Sequence, residues 1–240
     1  MLKDCSPHDG RFVLYWMATA VRTVENPALD LARILASNLN CPLLVYHGLS
    51  SRYPYASDRH HRFILEGARD VEESLEEMGI SYLFHLERAD HAPRLIELAQ
   101  EASSVVTEDF PTPPLKKWRS RILGDSSGPV FAVDTACMVP LGCSPKRYTR
   151  AFQFRDGLRK QREAALVAGY PDFPHAKPLV VNTMPFSGLS LARLSLSELI
   201  SSCPIDHTVP PVRDSCGGSK SDQNRWSSFL GAGIRSYHRH

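Results

Sequence analysis

Short apolar runs alternate with amphipathic stretches along the first 135 residues, and this alternation limits the fold more than any other feature of the chain. Runs rich in β-branched and aromatic residues predict five strands, at residues 11–17, 42–47, 80–86, 104–107 and 129–133. The stretches between them predict helices at residues 26–39, 57–78, 90–102 and 114–123. Because single helices over short connections join parallel strands by right-handed crossovers, we expect a doubly wound α/β domain with a five-stranded, mostly parallel sheet.

The composition of the chain changes after residue 175. Residues 176–212 are poor in charge and rich in Ser, Pro and Leu, which predicts a linker with one short helix near residues 194–201. Residues 213–240 carry apolar side chains at three- and four-residue steps, on one face of a helix: Trp226, Phe229, Leu230, Ile234 and Tyr237. We therefore expect an α/β domain in residues 1–175, a linker in 176–212, and the first helix of a truncated all-α domain in 213–240.

Composition and charge exclude several classes of protein. A net charge of +2 on 240 residues argues against a protein whose whole surface binds polyanions. The six cysteines include no C-x-x-C pair, which predicts reduced thiols in a cytoplasmic compartment. No apolar run is long enough for a membrane span. His60 and His61 point about 100° apart on the predicted helix, so we expect no metal site there. Separately, we expect the protein to be a monomer.

Several motifs that would name a chemistry are absent. The turn after the first predicted strand, ATAVRTVEN, contains no G-x-G-x-x-G, and the chain has neither a Walker loop nor a G-x-S-x-G elbow. The sequence therefore gives no sign of a nicotinamide fingerprint, a P-loop or a hydrolase of that type. In doubly wound sheets, ligands bind beyond the carboxyl ends of the strands, so candidate site residues must come from the segments that follow the predicted strands.

Two pairs of polar residues lie in those segments, and each pair has two interpretations. Arg22 and Asn26 follow the first strand; they either meet the polar edge of a bound ligand, or Asn26 caps the next helix while Arg22 stays solvated. Glu108 and Asp109 follow the fourth strand; they either bind a ring nitrogen or hydroxyl of a ligand, or cap the helix that comes next. We predict no catalytic residue in this chain.

The segment from residue 143 to residue 162 is strongly basic. Its sequence, CSPKRYTRAFQFRDGLRKQR, contains seven Lys and Arg side chains against one acid, with three aromatic residues between them. One interpretation is a basic helix whose Arg155 and Arg159 contact phosphates of DNA, which would give affinity without sequence information. The other interpretation is a solvated helix whose aromatic residues pack on the sheet.

The stretch YWMATAVRTVENPAL at residues 15–29 resembles the opening of the cryptochrome/DNA photolyase family, and it is most similar to the class II-like branch. In that branch a Tyr-Trp-Met strand leads through a basic turn to an Asn-x-Ala-Leu helix start. Three further stretches fit the family: PYASDRHHRFILEG, VVTEDFP and VDTACMVPL. PIDHTVPPV and the stretch after it, at residues 217–240, are similar to the interdomain linker and the first helix of the flavin-binding domain. The similarity follows the family's order along nearly the whole chain.

This resemblance implies a light-dependent deoxyribodipyrimidine photolyase that splits cyclobutane pyrimidine dimers in damaged DNA. It implies a Rossmann-like N-terminal domain that holds a folate or deazaflavin antenna, with Arg22, Asn26, Glu108 and Asp109 as candidate contacts. It also implies FAD in a helical domain, for which Tyr237 is the candidate contact in this chain. Because most of that domain would lie beyond residue 240, we expect the fragment to be unable to repair DNA alone.

Two other classes of function stay open on the sequence. A stand-alone α/β module that binds a chromophore or nucleotide would need only residues 1–175. A light-signalling protein of cryptochrome type would share this half of the chain and differ downstream. The residues that separate repair from signalling would lie in the helical domain, so the sequence does not distinguish them.

Overall fold

The computed structural model describes residues 1–4, 6, 9–87, 94–144, 146–173 and 178–239. Five parallel strands form one sheet in the order β3-β2-β1-β4-β5. The strands are β1 (Phe12–Trp16), β2 (Leu43–Ser50), β3 (Ser81–Glu87), β4 (Ala102–Glu108) and β5 (Val130–Val133). The predicted doubly wound α/β domain is confirmed.

The helices that join the strands lie where the sequence predicts them, apart from their ends. The first four are α1 (Pro27–Asn38), α2 (Asp58–Met78), α3 (Leu95–Glu101) and α4 (Leu115–Asp125). The start predicted for the third helix, at residue 90, lies outside the described residues. The end predicted for it, at Ala102, is wrong, because Ala102 already belongs to β4 and pairs with Phe12 of β1. Two small residues, Ala102 and Ser103, open that strand without the β-branched signal on which the prediction depended.

Alternate residues of the central strand β1 face opposite layers of helices. Tyr15 packs with α1 and α2, in a cluster that contains Leu29 and Leu75. Trp16 packs with α3 and α4, in a cluster that contains Leu98 and Ile122. Trp16 is therefore a core residue. The period of two along a strand explains why both faces of the sheet are covered.

The segment at residues 178–203, which we call the belt, packs against the edge strand β3 and against α2. The amide of Val181 donates to Oγ of Ser81 at 3.0 Å, and the amide of Leu189 donates to the carbonyl of Phe84 at 3.0 Å. The belt contains α7 (Leu196–Ser201), which confirms the predicted short helix. Covering an edge strand removes a surface that would otherwise pair with another chain. The predicted linker is thus packed over part of its length, and the boundaries of the domains stay predictions.

Three further helices complete the described chain: α5 (Ala151–Gly157), α6 (Arg159–Ala168) and α8 (Ser219–Ser228). After α8 the chain continues through a π-helical turn and a 3₁₀ turn. The apolar side chains predicted for one helical face are largely exposed, with Trp226 58% and Tyr237 71% accessible. Among the described residues, no helix combines the length and apolar character that a membrane crossing requires.

Candidate functional site at the carboxyl ends of β1 and β4

The candidate site lies where the strand order of the sheet reverses. From β1 the chain moves outward through β2 to β3, and it then returns to the other side of β1 to form β4 and β5. The helices that follow β1 and β4 therefore lead away in opposite directions, and we call the switch point between the carboxyl ends of these two strands the crevice. In doubly wound folds this switch point is where ligands bind.

The carboxylate of Glu108, the last residue of β4, holds the loop that follows β1. It accepts hydrogen bonds from the amides of Ala18 at 3.0 Å, Thr19 at 2.6 Å and Ala20 at 3.0 Å. The hydroxyl of Thr19 also donates to it, and the hydroxyl of Tyr15 donates at 3.0 Å. Glu108 is buried. A single carboxylate thus satisfies three successive loop amides, which fixes the floor of the crevice.

Asn26 closes the same loop from its other end. Its side-chain oxygen accepts from the amides of Ala28 and Leu29, both at 3.1 Å, and so caps α1. Its side-chain nitrogen donates to the carbonyl of Arg22 at 2.8 Å and to the hydroxyl of Tyr15 at 3.0 Å. The predicted capping role of Asn26 is therefore present in the structure.

Tyr15 joins the two polar groups that hold the crevice. Its ring is buried in the core, and its hydroxyl lies between Glu108 and Asn26. Burial, reinforced by the negative charge of Glu108, raises the pKa of Tyr15 well above its ordinary value of 10.0. The phenol therefore stays protonated and acts as a hydrogen-bond donor to the carboxylate.

At the rim of the crevice, charged side chains make two sets of contacts. The guanidinium of Arg22 donates to the carbonyl of Glu25 at 3.1 Å and to the carbonyl of Thr135 at 2.9 Å, which ties the loop after β1 to the loop after β5. Asp109 forms an ion pair with Arg119 of α4. Arg119 was not among the residues predicted from the sequence, although its position on the helix that follows the acidic pair is a signal for it.

The structure brings Arg22, Asn26, Glu108 and Asp109 to one crevice, and it gives them unequal freedom to bind a ligand. Glu108 and Asn26 are buried and already bonded to groups of the protein. Arg22 is only partly buried, and the side chain of Asp109 is 39% accessible. Arg22 and Asp109, at the rim, are therefore the two of these four side chains that solvent reaches. Contact between any of the four residues and a chromophore stays a prediction.

The predicted phosphate-binding residues Arg155 and Arg159 lie on a separate surface formed by α5, α6 and the loop before them. Phe152 and Phe154 are each 50% exposed, so these two rings are not packed on the sheet. Next to them lies an open hollow of about 400 Å³, lined by residues 144, 146–151 and 154. Arg155 forms an ion pair with its neighbour Asp156 at 3.1 Å, whereas Arg159 has no ion-pair partner among the described residues.

Tyr237, the candidate FAD contact, lies in the 3₁₀ turn after α8. Its ring meets Phe229 edge-on at 5.9 Å between centroids, and most of its surface is accessible. Neither the hollow beside α5 nor a second one of about 240 Å³ between α2 and residues 211–215 is lined by Tyr237. The described residues around Tyr237 therefore do not enclose a group as large as FAD.

The parallel sheet and the helices on both of its faces define an α/β domain of the doubly wound class. The family model for DNA photolyase matches residues 13–177, which is more than half of the chain. The chain belongs to the DNA photolyase family. A curated relative is the deoxyribodipyrimidine photo-lyase of Methanothermobacter thermautotrophicus, 31% identical over 183 residues. The match covers 76% of this chain and 38% of that protein, so the chain spans well under half the length of this relative.

Solved structures share the fold at low sequence identity. A cryptochrome from Synechocystis sp. PCC6803 superposes with a TM-score of 0.68 at 13% identity, over 95% of this chain and 48% of that one. A class III photolyase from Agrobacterium tumefaciens gives 0.55 at 14% identity, over 98% and 47%. An archaeal photolyase from Sulfolobus tokodaii, solved with two FAD molecules, gives 0.50 at 12% identity, over 81% and 42%. At these identities the likeness shows the fold alone.

Proposed function

We propose that this chain is the N-terminal part of a light-dependent repair enzyme that splits cyclobutane pyrimidine dimers in DNA. The observation that carries the proposal is the 183-residue match to a relative named deoxyribodipyrimidine photo-lyase, together with membership of the DNA photolyase family. The reaction is carbon–carbon bond cleavage by a lyase. Damaged DNA is the proposed partner of the whole enzyme.

The described residues of this chain do not form a pocket for the flavin of the proposed enzyme. FAD, when bound, supplies an electron from its excited reduced form to the dimer. Tyr237 is the one candidate contact here, and its exposed ring does not form a pocket with the described residues around it. We therefore expect the 240-residue chain alone to be inactive in repair.

The α/β domain is proposed to hold an antenna chromophore, a folate or deazaflavin, at the crevice beside β1 and β4. A bound antenna absorbs light and passes the excitation on. Arg22 and Asp109 at the rim would meet its polar edges, because their side chains remain partly accessible. Glu108 and Asn26 would act indirectly, by holding the loop that forms the floor.

Repair can be tested in a chimera that joins residues 1–240 to the segment that follows the matched region in the Methanothermobacter relative. We expect light-dependent loss of thymine dimers from an oligonucleotide, measured by chromatography, and no loss in the dark or with residues 1–240 alone. A chimera that binds FAD and DNA but leaves the dimers intact under light would contradict the proposal and favour a light-signalling protein.

The basic surface gives a prediction for DNA contact. Replacing Arg159 with alanine is expected to reduce the slope of log binding constant against log salt by about one, because each phosphate contact releases about one counterion. Arg155→Ala should change the slope less, since Asp156 already pairs with that guanidinium. Fluorescence anisotropy of a dimer-containing duplex over a range of NaCl concentrations measures both slopes. Arg121→Ala, on the exposed side of α4, is the matched control; equal slopes in all variants would remove this surface from the proposal.

A further inference from the structure

Helix α8 begins against the middle of α2, where one carboxylate of α2 binds an amide just before α8 and another binds an amide in its first turn. The amide of Gly217 donates to Oε2 of Glu66 at 2.8 Å. The amide of Lys220 donates to Oδ2 of Asp70 at 3.0 Å. Glu66 and Asp70 lie one turn apart on α2, so they face the same side of that helix.

Asp70 replaces the cap that α8 lacks. The residue that precedes α8 is Gly218, which has no side chain to accept a hydrogen bond from the first turn. The first amides of a helix have no partner within the helix itself. Asp70 therefore does from a neighbouring helix what an N-cap residue normally does from within, and its negative charge also suits the positive end of the α8 dipole.

The two glycines before α8 allow this close approach. A Cβ atom at residue 217 would lie 2.0 Å from the carbonyl oxygen of Phe63, and one at residue 218 would lie 2.2 Å from Oδ2 of Asp70. Gly218 also has a φ of 101°, a conformation that other residues rarely adopt. A side chain at either position would push the start of α8 away from α2.

Two ion pairs support this contact between α2 and the start of α8, one within α2 and one between the two helices. Nε of Arg62 pairs with Glu66 at 2.5 Å and orients its carboxylate, while Nζ of Lys220 pairs with Glu73 at 2.5 Å. Beyond this first turn the side chains of α8 are mostly exposed, Trp226 among them. The direction of α8 relative to the sheet is therefore set at its start.

We propose that Glu66 and Asp70 form a joint with Gly217 and Gly218 that fixes the direction in which α8 leaves the α/β domain. Glu66 and Asp70 are thus positioning residues. The consequence rests on the proposed function: light energy passed from an antenna in the crevice to a flavin depends on a fixed separation between the two parts of the enzyme. The joint itself is a property of residues 1–240 and is testable without light, flavin or DNA.

The test is a distance measurement between spin labels on the full chain. Labels at Ser37→Cys, at the end of α1, and Ser227→Cys, near the end of α8, are placed in a background whose accessible cysteines are changed to serine. We expect one narrow distance distribution in the unsubstituted joint and a broad or shifted one in Asp70→Ala. Alanine is the best helix former, so the substitution does not weaken α2 itself. Far-ultraviolet circular dichroism checks that the fold is intact.

Three comparisons separate the joint from a general loss of stability. Asp70→Asn keeps an acceptor for the Lys220 amide and should restore a narrow distribution, whereas Gly218→Ala should broaden it as Asp70→Ala does. Glu76→Ala removes an exposed carboxylate from the same helix and is the matched control. Hydrogen exchange at the Lys220 amide should become about tenfold faster in Asp70→Ala. Unchanged distances and exchange in Asp70→Ala would overturn the inference and would leave the repair proposal untouched.

Discussion

Replacing Glu108 with alanine is expected to lower the free energy of unfolding by about 3–4 kcal/mol, because it leaves several buried donors without an acceptor. Glu108 accepts from three successive amides, of Ala18, Thr19 and Ala20, and from two hydroxyl groups. The Ala20 amide and the Tyr15 hydroxyl are buried, so water cannot easily replace the lost acceptor. Urea unfolding followed by tryptophan fluorescence measures the loss, since Trp16 lies next to Tyr15 in β1.

The neighbouring residue provides the control for this substitution. Asp109→Asn weakens a partly exposed ion pair with Arg119 and should cost at most about 1 kcal/mol. Glu108→Gln should fall between the two, because one oxygen still accepts while the amide nitrogen faces donors. If Glu108→Ala unfolds no more easily than Asp109→Asn yet loses chromophore binding, Glu108 contacts the ligand directly and the structural role assigned to it is wrong.

The architecture of the sheet was predictable because strands and helices leave different periods in the sequence. β1 is a continuous apolar run with every residue buried, and α2 carries its apolar residues at helical spacing. The start of β4 was not predictable, since Ala102 and Ser103 are small and give no strand signal. The packing of the belt was also missed, because a charge-poor segment rich in Ser and Pro has the composition of a free linker.

The candidate site was predictable in its position and not in its contacts. The rule that ligands bind at the carboxyl ends of strands selected Arg22, Asn26, Glu108 and Asp109, and the structure brings them to one crevice. Their partners depend on how the loop after β1 turns back toward β4, and no local pattern encodes that path. Arg119 was missed for the same reason: its pairing with Asp109 follows from the docking of α4 beside β4.

Lowering the pH from 7 to 4 is expected to destabilise the protein through His47, before most carboxylates are protonated. Burial lowers the pKa of His47 from its ordinary value of 6.5 to about 4. The imidazole is therefore neutral in the fold, where Nδ1 and the hydroxyl of Tyr82 form a hydrogen bond at 3.0 Å. Between pH 6.5 and pH 4 the unfolded chain binds a proton that the folded chain does not, so stability falls as the pH falls.

The size of this effect follows from the same shift. Each pKa unit corresponds to about 1.4 kcal/mol, so His47 alone removes about 3 kcal/mol by pH 4. Burial also lowers the pKa of His61 to about 4, which adds a loss in the same direction. His47→Gln keeps a group that can hydrogen-bond with Tyr82 and cannot titrate. Urea unfolding midpoints measured at half-unit steps of pH should therefore decline less steeply below pH 6.5 in this variant. Parallel declines in the two proteins would mean that His47 is protonated in the folded state and that its burial does not exclude the charge.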